Sequence, residues 1–511
     1  MFAKVLSSSV LGVDAYIVNV EVHLSTAQPK FFMVGLAEGA VKESQTRVFP
    51  AIRNSGFSYQ PRRTVVNLAP ADIRKEGSSF DLSIAAGLLA AYDILKPDHL
   101  SEYILLGELA LNGDVRPVHG ALPISICAKS KRVKGIVLPA ANAKEAALTD
   151  DLQIIPVRTL RDVVGFLNDE IPIPPYRVDL NELFREQSRY RVDFTDVKGQ
   201  EHVKRALEVA AAGGHNIIMI GPPGSGKTML AKRFPTILPQ MSLEEALATT
   251  KIHSVVGLIR EGQGIIATRP LRAPHHTISD AALVGGGRIP RPGEVSLAHH
   301  GVLFLDELPE FKKNVLEVLR QPLENNSVTI SRAQISLTYP ANFMLISAMN
   351  PCPCGYATDP HNQCSCSVPQ IQKYMHKISG PLLDRIDIHI EVPAVRFSEL
   401  SSDRQGEPSE RIRERVQAAR ERQLARFRKR PEMFCNADME PRDIRHYCTI
   451  DDTGRSLLKA AITKLGLSAR AYDRILKVSR TIADLEGAES IRPEHLSEAI
   501  QYRSLDRQLW Q

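Results

Sequence analysis

Long apolar runs are absent from this chain of 511 residues, although 43% of its residues are hydrophobic. No window approaches the roughly 18 uninterrupted apolar residues that a membrane helix needs. The first residues, MFAKVLSSSVLG, also lack the longer apolar core of a secretory signal peptide. We therefore expect a cytoplasmic protein without a membrane-spanning segment.

Cysteine is sparse, and seven thiols in a chain of this kind do not suggest a disulfide framework. A strong charge of one sign is also lacking, since 64 basic and 58 acidic residues leave a formal net charge of +6. This weak excess is compatible with a polyanionic partner but does not identify one. At about 100–200 residues per domain, the chain has room for about three domains.

The pattern of predicted elements divides the chain into successive domains. Residues 1–170 mix alternating strands with the buried helix DLSIAAGLLAAY, and Asn112-Gly113 predicts a tight two-residue hairpin turn, so this domain is α+β. A proline-rich, charged stretch at 171–191 predicts an exposed linker. Strands alternate with helices in 192–395, which predicts an α/β core with a parallel sheet. Strand signals disappear in 396–511, which predicts an all-α C-terminal domain.

A phosphate-binding loop, GPPGSGKT, lies between the buried strand NIIMI and the start of a helix. Its glycines let backbone N–H groups turn towards phosphates, and the helix N-terminus favours negative charge. Lys227 would reach the β- and γ-phosphates of ATP, and Thr228 would bind Mg²⁺. The predicted nucleotide-binding residues are Gly221, Pro222, Pro223, Gly224, Ser225, Gly226, Lys227, Thr228 and Asp306.

Two further buried strands end in polar residues that complete an ATPase site. The strand GVLFLDE ends in Asp306, which would hold Mg²⁺, and Glu307, which would activate the attacking water as general base. The strand FMLISAMN ends in Asn350, whose side chain can orient that water. Together with the phosphate loop, these residues predict ATP hydrolysis.

With these residues in view, the chain resembles the AAA+ superfamily, and within it the magnesium-chelatase-like proteins of the ComM/YifB type. The resemblance runs from end to end and is most specific in LRAPHHTISDAALVGGGRIPRPGEVSLAHHGVLFLDELPEF, NPCPCGY and SGPLLDRIDIHIEVP. It implies that Asn350 is the first sensor and that Arg385 projects into the ATP site of a neighbouring subunit. It also implies that Arg470, on the helical lid, is the second sensor. An arginine that acts on a neighbour implies a homo-oligomeric ring, which we expect to be a hexamer.

Two insertions between the core motifs are candidates for contact with a substrate. The stretch VGGGRIPRPGEVS, with Arg288 and Arg291, resembles the loop inserted into the second helix of this AAA+ clade. The segments SVTIS and QISLT flank Arg332-Ala333 and predict a hairpin. In the related helicases this hairpin points into the pore, so Arg332 would contact a nucleic-acid backbone; the alternative is a solvated turn. The basic helix at 409–430 is more typical of a solvated helix face.

Four cysteines form two C-x-C pairs separated by the polar loop GYATDPHNQ. Cys352, Cys354, Cys364 and Cys366 can supply four thiolates to a tetrahedral zinc ion, which would be structural because no open position remains. The C-x-C spacing is tighter than the usual C-x₂-C, and His361 could substitute for one thiolate. A cluster without metal is the alternative.

The N-terminal domain resembles the Lon-protease-like domain, which shares its fold with a ribosomal protein. Ser79 falls where that protease has its nucleophile, but Leu122 occupies the position of the lysine that a Ser–Lys dyad needs. The nearby Lys129, Lys131 and Lys134 lie in a different helical turn or past the helix. We therefore expect a protease fold without protease chemistry.

The function that the resemblance implies is an ATP-driven motor on single-stranded or branched DNA. Such a motor would translocate or branch-migrate DNA in homologous recombination during natural transformation. From the residues alone we infer only a ring ATPase with a basic hairpin. Two other classes stay open: a chelatase-type chaperone that remodels a protein partner, and a regulatory ATPase or proteolysis adaptor.

Overall fold

A computed structural model describes residues 1–332, 335–359, 362–395, 406–430, 433–466 and 468–505. The chain forms two compact units, of which the first contains residues 1–188 and 243–267 and the second contains residues 189–242 and those from 268 onwards. Among the described residues, no helix has both the length and the apolar character that crossing a membrane requires. The predicted boundary between an ATPase core and a helical lid at residue 396 stays a prediction.

The first unit is built around a seven-stranded mixed sheet with the strand order β3-β4-β2-β1-β5-β8-β9. Strand β2 is antiparallel to both β1 and β4, whereas β5, β8 and β9 continue the sheet in parallel from β1. The alternating segment AYIVNVEVHL is confirmed as a strand, β2. The strands β1 to β9 are Phe2–Leu11, Asp14–Ser25, Phe31–Val34, Arg63–Ala69, Tyr103–Leu105, Glu108–Leu109, Val115–Arg116, Gly135–Pro139 and Gln153–Val157.

The helices of the first unit include the buried helix that the sequence predicts. Helix Asp81–Ala91 is apolar on all sides and is buried along almost its whole length, as expected of a core helix. A further helix, Leu180–Gln187, lies within the stretch predicted as a linker, and the Asp179 carboxylate caps it. The other helices are Ser44–Asn54, Ala121–Ser130, Ala143–Ala146, Leu160–Leu167 and Leu243–Val255.

Strands β6 and β7 form the predicted hairpin, but its turn differs from the prediction. A two-residue turn would need positive φ at both Asn112 and Gly113. In the fully described loop 110–114, Gly113 has a φ of +91° and Asn112 is not in the positive-φ region. The Ala110 N–H donates to the Asp114 carbonyl at 2.9 Å, which leaves a three-residue loop. The Asn112 side chain accepts the Asp114 N–H at 3.2 Å, and this bond favours the longer loop.

The segment 243–267 follows the phosphate loop in sequence but belongs to the first compact unit. Its helix Leu243–Val255 packs against helix Ala121–Ser130. The Gly120 N–H donates to the Ser254 carbonyl at 3.1 Å, and the Ser254 hydroxyl donates to the buried Glu145 carboxylate. This segment lies within the range predicted as the ATPase core, 192–395, but it belongs to the first compact unit.

The second unit contains the predicted parallel sheet, with five strands in the order β11-β14-β17-β10-β18. All four neighbouring pairs are parallel, and β10, which leads into the phosphate loop, lies between β17 and β18. The strands β10 to β18 are Ile217–Ile220, Leu271–Arg272, Gly285–Gly286, Arg291–Pro292, Val302–Leu305, Ser327–Arg332, Ile335–Pro340, Met344–Met349 and Ile388–Glu391.

From residue 406 onwards the described residues contain helices and no strand, as predicted for the C-terminal region. These helices are Ser409–Arg426, Pro441–Tyr447, Asp452–Leu465, Ala469–Leu485 and Pro493–Gln501. The earlier helices of the second unit are Glu201–Gly213, Lys227–Arg233, Asp280–Val284, Glu294–Leu297, Lys313–Glu317, Arg320–Asn325, Val368–Met375 and Gly380–Leu383.

The basic helix Ser409–Arg426 has a structural role that its composition does not suggest. It packs against helix Glu201–Gly213 and buries Ile412, Val416 and Ala419. The Arg420 guanidinium donates to carbonyl groups at the C-terminal end of the neighbouring helix at 3.2 and 3.3 Å. These carbonyls have no partner within their own helix, and cations are favourable at this end. At least one charged residue of this helix, Arg420, therefore stabilises its packing against the neighbouring helix.

Candidate functional site

The residues predicted to hydrolyse ATP follow three neighbouring strands of the parallel sheet. The register pairs Ile220 of β10 with Met349 of β17, and Leu305 of β14 with Ser347 of β17. Because parallel strands end at the same edge, the residues that follow them, Gly221, Asp306 and Asn350, meet there. The sheet topology therefore assembles the predicted site from three separate motifs.

The phosphate loop has glycines where the backbone geometry disfavours any other residue. A Cβ atom at Gly221 would lie 2.1 Å from the carbonyl oxygen of Val392, which is closer than any real contact. Gly224 and Gly226 have φ angles of +77° and +89°, in the left-handed region that disfavours side chains. These conformations form the turn that lets N–H groups line a phosphate site.

The Lys227 ammonium is buried at the base of this loop. Its Nζ donates to the carbonyls of Gly221 and Pro222 at 2.7 and 2.8 Å, and lies 3.4 Å from Asn350 Oδ1. Burial lowers the pKa of Lys227, and the nearby Asp306 carboxylate opposes that shift. A cation held among neutral carbonyls is well placed to bind phosphate oxygens.

Thr228 and Asp306, the predicted Mg²⁺ ligands, are in direct contact. The Thr228 hydroxyl donates to Asp306 Oδ2 at 2.7 Å, and Asp306 Oδ1 accepts the N–H of Glu307 at 3.0 Å. Hydroxyl and carboxylate oxygens are the hard ligands that Mg²⁺ takes, usually together with phosphate oxygens and water. The oxygen donors present at this point therefore fit Mg²⁺.

A histidine outside the predicted motifs contacts Glu307, the predicted general base. His276 Nδ1 lies 3.3 Å from Glu307 Oε2, and the His276 ring stacks on His275 and meets Phe311 edge-on. His276 follows the short strand β11, which pairs with β14 and so lies beside the Asp306-Glu307 segment. In the sequence, two adjacent histidines shortly after a strand could have indicated a functional site. Only the order of the strands in the sheet shows that His276 lies beside Glu307.

Arg470, the predicted second sensor, contacts the residue directly before Arg385, the arginine predicted to act on a neighbouring subunit. The Arg385 side chain is nearly buried; it forms an ion pair with Glu324 and donates to the Pro381 carbonyl. Arg470 Nη1 lies 3.4 Å from Asp384 Oδ2, and Asp384 directly precedes Arg385. The predicted roles of Arg385 and Arg470 involve bound ATP and a neighbouring subunit, so these roles stay predictions.

The three arginines predicted to contact DNA are exposed and belong to two insertions that touch each other. The hairpin of β15 and β16 is confirmed, with Arg332 opposite Ile335 at its end. Arg332 Nε donates to the carbonyl of Gly287 at 3.2 Å, directly before Arg288, and Arg291 pairs with Gly286 across β12 and β13. Ala333 lies outside the described residues. The structure thus brings together the segments that carry Arg288, Arg291 and Arg332, and we name the exposed side chains of these three arginines the insert surface.

The four cysteines of the C-x-C pairs converge. Their Sγ atoms all lie within 4.8 Å of one another, and the Cys352 side chain is buried. Backbone N–H groups of Tyr356 and Ser365 lower the pKa of the Cys354 thiol to about 5. His361, the predicted substitute ligand, lies outside the described residues.

The N-terminal unit has a buried leucine at the position predicted to lack the protease base. Leu122 is completely buried, and its N–H donates to Glu145 Oε1 at 2.9 Å. Lys129 is in the last turn of the same helix and lies 3.6 Å from Asp151, so its amine is directed to a carboxylate. The likeness of this unit to the Lon-protease-like fold stays a prediction.

In the second unit a phosphate loop lies between a buried parallel strand and a helix, and acidic and amide residues stand at the ends of the adjacent strands. These features define the second unit as a P-loop ATPase. Family models agree with this class. The model described as magnesium chelatase, subunit ChlI, matches residues 193–400, and that for its C-terminal part matches residues 406–503. A model described as subunit ChlI of Mg-chelatase matches residues 20–142 of the first unit.

Comparison with individual proteins identifies the family. The chain is 47% identical to competence protein ComM of Haemophilus influenzae, over 99% of this chain and 98% of the relative. It is 44% identical to the uncharacterized protein YifB of Escherichia coli, over 98% and 96% of the two chains. The chloroplastic magnesium-chelatase subunit ChlI of Nicotiana tabacum is 23% identical over 63% of this chain and 75% of its own. The chain therefore belongs to the ComM/YifB family of magnesium-chelatase-like AAA+ proteins, which confirms the resemblance and implies an ATPase that uses ATP and Mg²⁺.

Proposed function

We propose that this protein is a cytoplasmic, ATP-driven ring motor that translocates on or branch-migrates DNA in homologous recombination during natural transformation. The observation that carries the proposal is the insert surface, where two insertions in an ATPase core present three exposed arginines together. The 47% identity to a protein named competence protein ComM supports the biological setting.

The insert surface is linked to the ATPase site through a short segment of chain. Strand β16 ends at Pro340, and β17 begins at Met344 and leads directly to Asn350. Between them the Ala341 N–H donates to the Asn326 carbonyl at 2.8 Å, which ties the segment to the base of the hairpin. A displacement of Asn350 during hydrolysis would therefore be transmitted along β17 to the hairpin that carries Arg332.

Within one subunit the chemistry follows from the positions of the side chains. Thr228 and Asp306 would hold Mg²⁺, which offsets negative charge on the phosphates. Lys227 would bind the β- and γ-phosphate oxygens. The Glu307 carboxylate would accept a proton from the attacking water, with Asn350 orienting that water.

The contact between Arg470 and Asp384 favours a common target for the two arginines. If Arg385 serves the ATP site of the neighbouring subunit, Arg470, which contacts the preceding residue Asp384, would serve that same site. Guanidinium groups there would stabilise charge on the transferring phosphoryl group. We accordingly propose a homo-hexameric ring in which each ATP site is completed by its neighbour.

Arginine contacts with phosphates bind single-stranded or branched DNA without reading its sequence. Binding of this kind weakens as the salt concentration rises, because each neutralised phosphate releases counterions. The proposal therefore predicts affinity that depends strongly on salt and little on sequence.

Substitution of the hairpin arginine tests the DNA contact. Arg332→Ala should weaken binding to labelled four-way junctions of different sequence and reduce the salt slope by about one. The matched control is Arg455→Ala, an exposed arginine on helix Asp452–Leu465, which should bind as the wild type does. Unchanged DNA affinity in Arg332→Ala, with the same unfolding temperature as the control, would remove this hairpin from the proposal.

A further inference from the structure

The four clustered cysteines have the spacing of ligands around a single metal ion. A tetrahedral zinc ion with Zn–S bonds of about 2.3 Å separates its sulfur ligands by about 3.8 Å. The Sγ atoms of Cys352, Cys354 and Cys364 lie 3.3, 3.7 and 3.6 Å apart, and Cys366 completes the group. We propose that these four cysteines bind one structural zinc ion, and that this ion fixes Asn350 against the phosphate loop.

Packing alone does not account for this cluster. Cys354, Cys364 and Cys366 are only half-buried, so they remove little apolar surface from water. The Cys366 N–H donates to Cys364 Sγ at 3.4 Å, and backbone N–H donors of this kind stabilise a thiolate ligand. Four thiolate ligands in a tetrahedral arrangement bind zinc in preference to the other metal ions that commonly have a structural role.

The first cysteine pair lies against the phosphate loop. Cys352 follows Asn350 by two positions, and the Gly355 N–H closes a turn by donating to the Cys352 carbonyl at 3.0 Å. A Cβ atom at Gly355 would lie 2.6 Å from Pro223 Cδ, and the φ of Gly355 is +90°. The turn that carries the first two thiolates is thus in close contact with the loop that would bind phosphate.

The second cysteine pair leads back to the same sensor residue. Cys366 directly precedes Ser367, whose side chain forms a capping box at the start of helix Val368–Met375. In the last turn of that helix, burial raises the pKa of the Tyr374 hydroxyl, and the nearby backbone N–H of Asn350 opposes this rise. Both cysteine pairs are thus connected to Asn350, the first through the chain and the second through helix Val368–Met375. A metal ion that joins the two pairs would therefore hold Asn350 from both sides.

Loss of the ion should impair hydrolysis more than binding of ATP. Asn350 is the group whose position depends on the cluster, whereas the phosphate loop keeps its own glycine geometry and Lys227 contacts. This second part of the proposal rests on the assignment of Asn350 to the ATPase site. The presence of the ion does not depend on that assignment.

Metal content tests the site directly. We expect one zinc per chain by elemental analysis of the purified full-length protein, and sulfur scatterers at about 2.3 Å in the zinc X-ray absorption spectrum. Cys364→Ser and Cys366→Ser should lose the metal. The matched controls Cys127→Ser and Cys435→Ser, at buried thiols outside the cluster, should keep it. Wild-type protein that takes up no zinc when it is supplied would overturn the proposal, even if a cysteine variant failed to fold.

Removal of zinc from the wild-type protein by a chelator tests the link to Asn350. We expect kcat for ATP hydrolysis to fall by about tenfold or more, with little change in the Kd of a fluorescent ATP analogue, and recovery when zinc is returned. An unchanged kcat in protein shown to be zinc-free would overturn the link while the metal site stands. Because neither readout uses DNA, failure here is distinct from failure of the DNA-motor proposal.

Discussion

The imidazole Nδ1 of His276 lies 3.3 Å from the carboxylate Oε2 of Glu307. Glu307 has a left-handed backbone conformation with a φ of +53°, and its N–H is held by Asp306 Oδ1. The Glu307 side chain is 57% exposed, so the histidine is a main constraint on where its carboxylate points. We infer that His276 positions Glu307, the predicted general base.

Replacement of His276 by alanine should reduce catalysis and preserve nucleotide binding. Without the imidazole, the Glu307 carboxylate samples more orientations and takes the proton from water less efficiently. We expect kcat to fall by about tenfold to a hundredfold, since a positioned general base contributes about 10²–10⁴-fold. Steady-state hydrolysis and the Kd of a fluorescent ATP analogue would separate the two effects.

His275→Ala provides the matched control for this prediction. His275 stacks on His276 but directs its Nδ1 to the Thr277 hydroxyl at 3.0 Å. We expect it to retain most of the hydrolysis rate. Equal losses in both variants would show that the histidine pair maintains the fold of the segment and does not position Glu307.

Lys227→Ala should abolish the stabilisation that ATP gives to the folded protein. ATP at about 100 times its Kd stabilises a protein by about 2.7 kcal/mol, and this effect disappears when the nucleotide no longer binds. Thermal unfolding with and without Mg-ATP measures the difference. Lys232→Ala, at an exposed lysine on the same helix, should keep the ATP-dependent rise. A normal rise in Lys227→Ala would contradict the assignment of the phosphate site.

Much of the ATPase site could be predicted because its motifs are local and each is attached to a buried strand. The loop around Lys227, the pair Asp306-Glu307 and Asn350 each follow a short apolar run, so their meeting at one sheet edge needs only the parallel arrangement. The hairpin around Arg332 was equally accessible, since alternation of apolar and polar residues on both sides of a turn is a local signal.

Features that depend on tertiary contacts were not accessible in this way. The contact of His276 with Glu307 arises from the pairing of β11 with β14, which no local pattern encodes. The segment 243–267 has an ordinary helical sequence, and its membership of the first unit follows from packing that its composition does not specify. The prediction of the turn after β6 is wrong, because a hydrogen bond from the Asp114 N–H to the Asn112 side chain competes with the tight two-residue turn.

Mixing two inactive variants tests whether Arg385 acts on a neighbouring subunit. Arg385→Ala and Lys227→Ala should each hydrolyse ATP poorly alone. In a mixed ring, a Lys227→Ala subunit would supply Arg385 to an intact phosphate loop, so part of the activity should return. The ATPase rate measured against the mixing ratio reports this recovery.

The control for the mixing experiment is Glu324→Gln, which removes the charge partner of Arg385 but keeps the arginine. We expect this variant to retain hydrolysis when tested alone. Mixtures without any recovery, in rings shown to contain both variants, would indicate that Arg385 acts within its own subunit or has a structural role.

Stability should fall in mild acid because buried His215 resists protonation. The His215 ring contacts Asp387 and Thr481 at 3.0 and 2.8 Å. Burial lowers the pKa of His215 to about 3. Nearby positive charges add to this shift, and one carboxylate opposes it; the groups are Lys477, Arg474, Arg420 and Asp438. Between pH 6.5 and about 3 the unfolded chain binds a proton that the folded chain does not. The contribution of His215 is therefore complete above pH 6.5 and declines by about 1.4 kcal/mol per pH unit below it.

Urea denaturation of His215→Gln at several pH values measures this effect. The variant should be less stable than the wild type at pH 7, and the difference should shrink as the pH falls below 6.5. His202→Gln, at an exposed histidine on the helix Glu201–Gly213, is the matched control and should unfold at nearly the same urea concentration as the wild type. A constant difference for His215→Gln would show that this histidine titrates normally in the folded state.

ATP-dependent strand movement on a labelled four-way DNA junction, with Glu307→Gln as the control, tests most directly whether this protein is a DNA motor. We expect the wild type to move the branch point when ATP is hydrolysed, and Glu307→Gln to bind ATP and the junction without moving the branch point. The opposite result would be that the wild type hydrolyses ATP at the same rate whether or not DNA of any form is present, and moves no strand. This result would contradict a DNA motor and indicate a protein substrate.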